Sequence, residues 1–464
     1  MFHFNKHSKL IKIPNVSINF RADSFAVSAI VYVFSSLLLA LFAIEKDVEN
    51  IRFLVPMMAV SFAFMAYSSY VRCDSMMTLC LSVIMSIGVV VQCILMPDKT
   101  DMVTNEFLFS SALSVCLTAI FSFIGKHFIE KENRKSIVYL LLIWLATIAV
   151  TVLLRLGPST NGTYAWLYLG SLQIQATTLF VPAFILYEAI LYTSLISKKW
   201  LFSTGYLLTL ALSLGVCNEL GTLIIISILW IINMLMFGEL RKSMIIIASF
   251  SGVGIVGIIA IALAKFQVNK LCSLGETASQ IVTFLSRIYD KIFHRFSDWI
   301  NVKELPRYEQ AATAWRAIVR GGLLGSNNEA FIAEEIYDYT FAAILQRMGF
   351  LFGLVIVVLY TAIFIISITK LSGKYIKHQL SFINFFSIGA SIAFFVSSII
   401  PIFTNTAFLP LMGVSLPLIS SGMTSGVVYR FLILTVILNC KERLLFNPIR
   451  IKNSRAFNDE AIER

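Results

Sequence analysis

Twelve apolar stretches set the terms for this chain, near 24–44, 53–70, 76–96, 107–124, 137–154, 177–196, 201–217, 220–237, 244–264, 339–369, 380–403 and 422–440. About 30 Å of hydrocarbon, crossed at ~1.5 Å per residue, takes roughly 20 mostly apolar residues, so each stretch is a candidate membrane-spanning helix. In lipid a backbone must satisfy its own polar groups, which a helix of this length does. The expected fold is an all-α polytopic membrane protein with about twelve transmembrane helices. Composition agrees, with 58% hydrophobic residues, 14% charged residues and a mean hydropathy of +0.82. A soluble globular domain, a disordered chain, a collagen-like repeat and a small disulfide scaffold are all excluded on those grounds.

The formal charge of +11 looks at first like a nucleic-acid signal. Its distribution says otherwise. Basic residues precede the first span (Lys6, Lys9, Lys12, Arg21) and then recur in alternate loops: Lys126, Lys131, Arg134 and Lys135; Lys198 and Lys199; Arg241 and Lys242; Lys370, Lys374 and Lys377. Lys441, Arg443, Arg450 and Lys452 follow the last span, while the loops 45–52 and 97–106 show no such excess. Lys and Arg collect on the cytoplasmic side, so both termini are expected there, with the lipid bilayer and not nucleic acid as the partner of the charge. The roughly 23 residues before the first span are too polar and basic for a secretory signal peptide.

Most remaining motifs are bland. Seven cysteines without a C-x-x-C spacing and five scattered histidines support neither a disulfide framework nor a zinc site. Gly252, Gly254 and Gly257 spell G-x-G-x-x-G in mid-span, where small residues for close helix packing explain them better than a dinucleotide. Asn161-Gly162-Thr163 has the form of a glycosylation sequon. One long polar loop remains, from about 266 to 338 on the external side, too short for an enzyme domain of its own.

Four stretches, taken together, resemble the SEDS family (shape, elongation, division and sporulation), the RodA/FtsW/SpoVE group of membrane glycosyltransferases. Asn161 to Gly170, with Trp166 and running on to Gln175, is similar to NGAxRWIxLG followed by QPSExxK. Glu219-Leu220-Gly221-Thr222 is similar to QPDLGT. Arg295, Trp299, Ala317-Ile318, Gly321-Gly322-Leu323-Leu324-Gly325, Asp338-Tyr339-Thr340-Phe341-Ala342 and Gly349-Phe350 follow R-x-x-x-W, AIGSGGLxGxG, DFIFA and EELGF. Gly413 to Gly422, including Ser420, resembles GLPLPFISYGG. The resemblance spans 137–440 and implies a core there, with 1–23 and 441–464 as cytoplasmic tails. Residues 24–136 then hold N-terminal spans, two of them beyond the family's usual number.

The resemblance implies polymerisation of lipid II, an undecaprenyl-pyrophosphate-linked disaccharide-peptide, at the outer face of a bacterial cytoplasmic membrane, beside a class B penicillin-binding protein. Such chemistry needs a base for the acceptor hydroxyl and positive charge for the departing pyrophosphate. Asp338 is the expected base; as the residue before a span it also suits a helix N-cap, and the two roles are compatible. Arg295, Arg316, Arg320 and the backbone of Gly321, Gly322 and Gly325 are the expected binders of substrate, with Trp166, Gln175 and Ser420. For Arg295 the alternative is snorkelling beside Trp299, and for the glycines plain turn geometry. A divalent cation, Mg2+ or Mn2+, would suit a pyrophosphate, yet no compact carboxylate cluster marks a metal site and no other cofactor is indicated.

Several positions depart from the family. Ala165 replaces Arg, Thr178 and Val181 stand at the Glu and Lys of QPSExxK, Gln346 and Arg347 replace Glu-Glu, and Ser421 and Met423 replace Tyr and Gly. These losses keep open a non-catalytic scaffold that recruits a transpeptidase; intramembrane Glu188 and Arg430 would also fit a flippase of lipid-linked sugars, and an O-antigen-type ligase or polymerase would share the undecaprenyl-pyrophosphate donor. Intramembrane Glu188, Arg347 and Arg430 match no family position, and charges there are costly. Arg347, nine residues past Asp338, falls about 180° around a helix from it and is expected outside its site. Arg430 is expected to pair with Glu188, and Glu219 to act structurally at a span junction.

Overall fold

The computed structural model describes residues 23–45, 54–70, 73–97, 100–125, 135–160, 162–169, 172–238, 242–249, 251–252, 276–304, 309–326, 332, 334–376 and 381–440. Its elements are α1 (Asp23–Glu45), α2 (Leu54–Tyr70), α3 (Ser75–Leu95), α4 (Thr100–Ile124), α5 (Ser136–Leu156), β1 (Trp166–Leu169), β2 (Leu172–Gln175), α6 (Phe180–Thr193), α7 (Lys199–Val216) and α8 (Leu220–Phe237). After these come α9 (Glu276–Ile300), α10 (Gln310–Gly321), α11 (Thr340–Ile376), α12 (Phe382–Asn405) and α13 (Met423–Asn439). Eight helices among the described residues are long and apolar enough to cross a membrane. Every expected span except 244–264 coincides with a helix; most of that one lies outside the described residues, as do the two tails.

Burial sorts the spans. α3 and α12 are enclosed on nearly all sides, whereas α4 and α5 bury only a narrow stripe. Outward-facing Leu141, Leu142, Leu145 and Val152 on α5 are more than half exposed. Apolar surface of that extent belongs against lipid. α1 and α2 pack on α3, where the Tyr32 hydroxyl donates to Met58 O at 2.8 Å and lies 3.0 Å from Ser86 Oγ. Gly88 lets the chain at Leu418 press onto α3, because a Cβ there would stand 2.1 Å from Leu418 O. Small residues at helix contacts are the usual means of close approach in membranes.

α11 is broken rather than continuous. Gly349 has φ 83°, ψ 171°, a conformation that only glycine adopts cheaply. The amides and carbonyls freed by the break are met by the loop after α10: Phe350 N–H donates to Gly322 O (3.0 Å), Leu351 N–H to Leu323 O (3.2 Å) and Ser326 N–H to Gln346 O (2.9 Å). Irregular backbone at membrane depth survives where protein re-satisfies it in this way.

The all-α expectation omits one small feature, an antiparallel hairpin in which Trp166 opposes Gln175 and Leu169 opposes Leu172. Its second strand docks on the start of α13, with the Gln175 amide donating to Thr424 Oγ1 at 3.0 Å. At the same end of the bundle lie the starts of α8 and α11 and the end of α12. At the opposite end Lys370 pairs with Asp74 at 3.0 Å, and Asp74 caps α3 through the amides of Met76 and Met77.

Candidate active site

Three chain segments converge where the hairpin end of the bundle meets the amphipathic helix α9. The loop around Gly413 (φ +64°) crosses the start of α8 so closely that a Cβ on Gly221 would lie 2.4 Å from Met412 O. A Cβ on Gly413 would in turn sit 3.7 Å from Asp338 Oδ2 and 3.8 Å from Arg295 Nη2. The Arg295 guanidinium therefore faces Asp338, and Glu219 at the head of α8 adds a second carboxylate to the same field. Burial draws the Arg295 pKa down, while Glu219, Asp338 and Tyr339 oppose that shift.

Asp338 lies just ahead of α11, partly buried. Removal from solvent raises its carboxyl to about 6, Glu334 adds to the rise and Arg295 works against it. A carboxylate in that range can both accept a proton near neutral pH and hand it on. The helix-cap role expected for it goes elsewhere: Asn405 Oδ1 accepts from the Ala342 amide at 2.9 Å, and Asn405 Nδ2 donates to Asp338 O at 2.8 Å. A single buried amide thus starts α11 and fixes the Asp338 backbone, leaving the carboxylate out of the helix start.

Beside Arg295 opens a small, partly open cleft walled by Arg295, Asp298 and Trp299 of α9, Glu309 and Gln310, Tyr339, Asn405 and Leu411; Asp338 is not on its wall. The Trp299 indole N–H donates to Ala407 O at 2.8 Å, which ties α9 to the loop after α12. Trp299 is thereby an anchor, and Arg295 is turned to Asp338 instead of snorkelling.

The other expected residues occupy different places. Gly321 and Gly325 are packing glycines: a Cβ on Gly321 would lie 2.2 Å from Leu345 O, and one on Gly325 would lie 2.3 Å from Arg347 O. Gly322 (φ +57°) has open space around its Cβ position. Their backbone joins the break in α11 and does not line the cleft. Arg320 is exposed and Arg316 half-buried on α10, neither on the cleft wall. Ser420 latches its loop, accepting from the Leu416 amide and donating to Thr340 Oγ1, both at 2.9 Å. Trp166 and Gln175 form the hairpin's open end. Arg347 turns away from Asp338 to Glu335, 3.4 Å away, and donates to Ile94 O.

The expected Arg430–Glu188 pair does not form. Arg430 Nη1 donates to Ser110 Oγ at 2.6 Å, its guanidinium lies 4.8 Å from the Phe107 ring, and its carboxylate neighbour is Glu106. All three belong to α4, against which α13 packs most extensively. Glu188 faces α7, with Ser203 beside it. Helical order alone could not show which neighbour α13 would choose. Glu106, Asn405, Asp298 and Glu309 are absent from the sequence expectations; their one available signal was polarity at span ends.

Among the described residues no group of three His, Cys, Asp or Glu side chains could hold a metal ion. The positive charge between Glu219 and Asp338 is Arg295 itself.

Fold and site together define a polytopic helical membrane protein with a carboxylate and a guanidinium brought near each other where a long loop meets the span ends. A family model described as a cell cycle protein, FtsW/RodA/SpoVE, matches residues 74–443, so the chain belongs to that family. The match starts directly past α2. Curated relatives include a probable peptidoglycan glycosyltransferase FtsW of Marinomonas mediterranea, 22% identical over 77% of this chain and 85% of the relative. One of the same description from Geobacter sulfurreducens is 25% identical over 63% and 74%. Among solved structures, a chain from a peptidoglycan synthase complex that coordinates polymerization and crosslinking aligns with a TM-score of 0.56 and 16% identity, covering 81% of this chain and 99% of that one. Thermus thermophilus rod shape determining protein RodA aligns with a TM-score of 0.52 at 14% identity, covering 80% and 98%.

Proposed function

We propose that the chain is a peptidoglycan glycosyltransferase that polymerises lipid II at the outer face of a bacterial cytoplasmic membrane. The observation that carries this reading is the partly desolvated Asp338 carboxylate, raised to about 6 within the field of Arg295, which lines a partly polar cleft. In the reaction an acceptor sugar hydroxyl forms a bond to the donor's anomeric carbon. The bond from that carbon to the pyrophosphate oxygen breaks, and the lipid pyrophosphate leaves with the electron pair. Asp338 takes the hydroxyl proton as the bond forms, and Arg295 keeps enough positive charge beside it for the carboxylate to be ionised beforehand.

The pyrophosphate needs its own cation. Arg316 and Arg320 on α10 are the candidates among the described residues, and a Mg2+ or Mn2+ ion would arrive on the diphosphate, since such ions are held largely by substrate phosphates. Orientation rests on charge: Lys135, Lys198, Lys199 and Lys370 mark the end of the bundle opposite the site, which suits cytoplasmic termini and an external site. α1 and α2 read as an addition ahead of the family core. A class B penicillin-binding transpeptidase is the partner we infer.

A non-catalytic scaffold is the second reading, favoured by Thr178 and Val181, which are buried without charge where the family motif has Glu and Lys. Polymerisation of lipid II by the purified chain, with and without the transpeptidase, separates the two. Asp338→Asn should abolish glycan product without lowering the yield of folded protein. Transpeptidase capture by a wild type that forms no polymer favours the scaffold.

A further inference from the structure

One acidic group inside the membrane has no part in the site around Asp338. Glu188 on α6 is 0% exposed, and neither of its carboxyl oxygens has a hydrogen-bond partner among the described residues. Ser203 of α7 stands beside it, and its Oγ is likewise buried without a partner among them. Tyr187, Tyr192 and Tyr206 lie within the field of Glu188, but their hydroxyls are engaged elsewhere. Tyr187 donates to Phe202 O at 3.4 Å, Tyr206 lies 2.9 Å from Thr147 Oγ1, and Tyr192 turns to Met234 Sδ at 3.7 Å. Tyr187 and Tyr206 stack with ring centroids 4.0 Å apart, which closes the seam between α6 and α7 over the carboxyl.

The surrounding helices bring no counter-charge. α6 packs against α5, α7, α8 and α12, and across these five helices Glu188 is the one acidic side chain. α8 and α12 hold no ionisable side chain, and α5 holds only Tyr139 and Arg155, near its two ends. Arg155 lies over the Tyr164 ring at 4.1 Å, and Lys199 of α7 donates to Tyr192 O at 2.6 Å. An isolated carboxylate at such a place is among the costliest groups a fold can hold, unless a cation sits on it. A metal ion asks for a shell of several oxygens. A proton asks for none, and it turns an acceptor-only group into one that also donates, so Glu188 and Ser203 can then satisfy each other.

We propose that Glu188 is a proton-binding site, a carboxylic acid that keeps its proton at neutral pH and pairs with Ser203 in the seam between α6 and α7. Five residues separate it from Thr193 at the end of α6, about 8 Å along the axis. The proton therefore exchanges with the end of the bundle that carries Lys198 and Lys199, away from Asp338. The site stands on burial and charge and is independent of the glycosyl-transfer reading.

Glu188→Gln in the full-length chain keeps the shape of the neutral acid and cannot ionise. Unfolding exposes the wild-type side chain, which sheds its proton above about pH 4.3, so the folded state holds one proton more and loses stability as pH rises. Wild type and Glu188→Gln should melt together near pH 4, and the variant should melt progressively higher than wild type from there to about pH 8. Exchange of Na+ for choline should move neither melting temperature. In a detergent without ester groups, wild type near pH 8 should show the infrared carbonyl band of a protonated acid, since ordinary carboxylates and Asp338 are ionised there. Glu188→Gln should lack that band. A variant that fails to fold or melts below wild type near pH 8 would overturn the proposal, because it marks an anion with a partner to lose. A wild type stabilised by Na+, or a carbonyl band equal in the two proteins, would overturn it as well.

Discussion

At the scale of single residues, chemistry is concentrated in one guanidinium that acts on a carboxylate through its field and in one carboxyl shift. A general base works only when deprotonated, so activity should rise through an acid limb centred near pH 6, where Asp338 titrates. Arg295 favours the ionised form, so Arg295→Gln should move that limb to higher pH as well as lower the plateau. A pH–rate profile of lipid II polymerisation reads both, and an unshifted limb would separate Arg295 from the base. Arg430 gives a second test. Replacing it with Met removes the donor to Ser110 Oγ and the charge near Glu106 and should cost about 1.5–3 kcal/mol, the scale of a hydrogen bond made by a charged group. Arg430→Glu combined with Glu106→Arg should recover part of the lost melting temperature, whereas exchange with Glu188 should recover none. Asp338, Arg295 and Glu219 were legible from their motifs; Asn405 and Glu106 were not, since a lone polar residue at a span end does not say what it will meet.

Helices and loops show where pattern reading stops. Apolar runs located the spans well because twenty apolar residues in lipid have little choice but helix. The same rule hid the break in α11, because the apolar run resumes after Gln346 and Arg347 and reads as one span across Gly349, and four-residue strands are too short for any periodicity to register. The glycines after α10 carry a contrast that melting can measure. Gly321→Val must push its side chain into the backbone of α11 at Leu345 and Gln346, and overpacking of that kind costs about 1–3 kcal/mol. Gly322→Ala meets open space and bears only the strain of its positive φ, so it should lose less stability than Gly321→Val. Equal losses in the two variants would mean that the loop does not brace the break.

Across the whole molecule, charge is divided by task. Lysines gather at the end of the bundle away from the site, and the opposite end holds Glu219, Arg295 and Asp338 in contact with one another's fields. Three motifs spread along the chain from Glu219 to Gly413 meet there only because the starts of α8 and α11 and the loop before α13 lie at the same level, a convergence that hydropathy cannot show. The most direct check is glycan synthesis from purified lipid II by wild type and Asp338→Asn, each reconstituted with a class B transpeptidase. Wild type should yield polymer and the variant none, at equal melting temperature and equal transpeptidase capture. Polymer from Asp338→Asn at the wild-type rate would contradict the account.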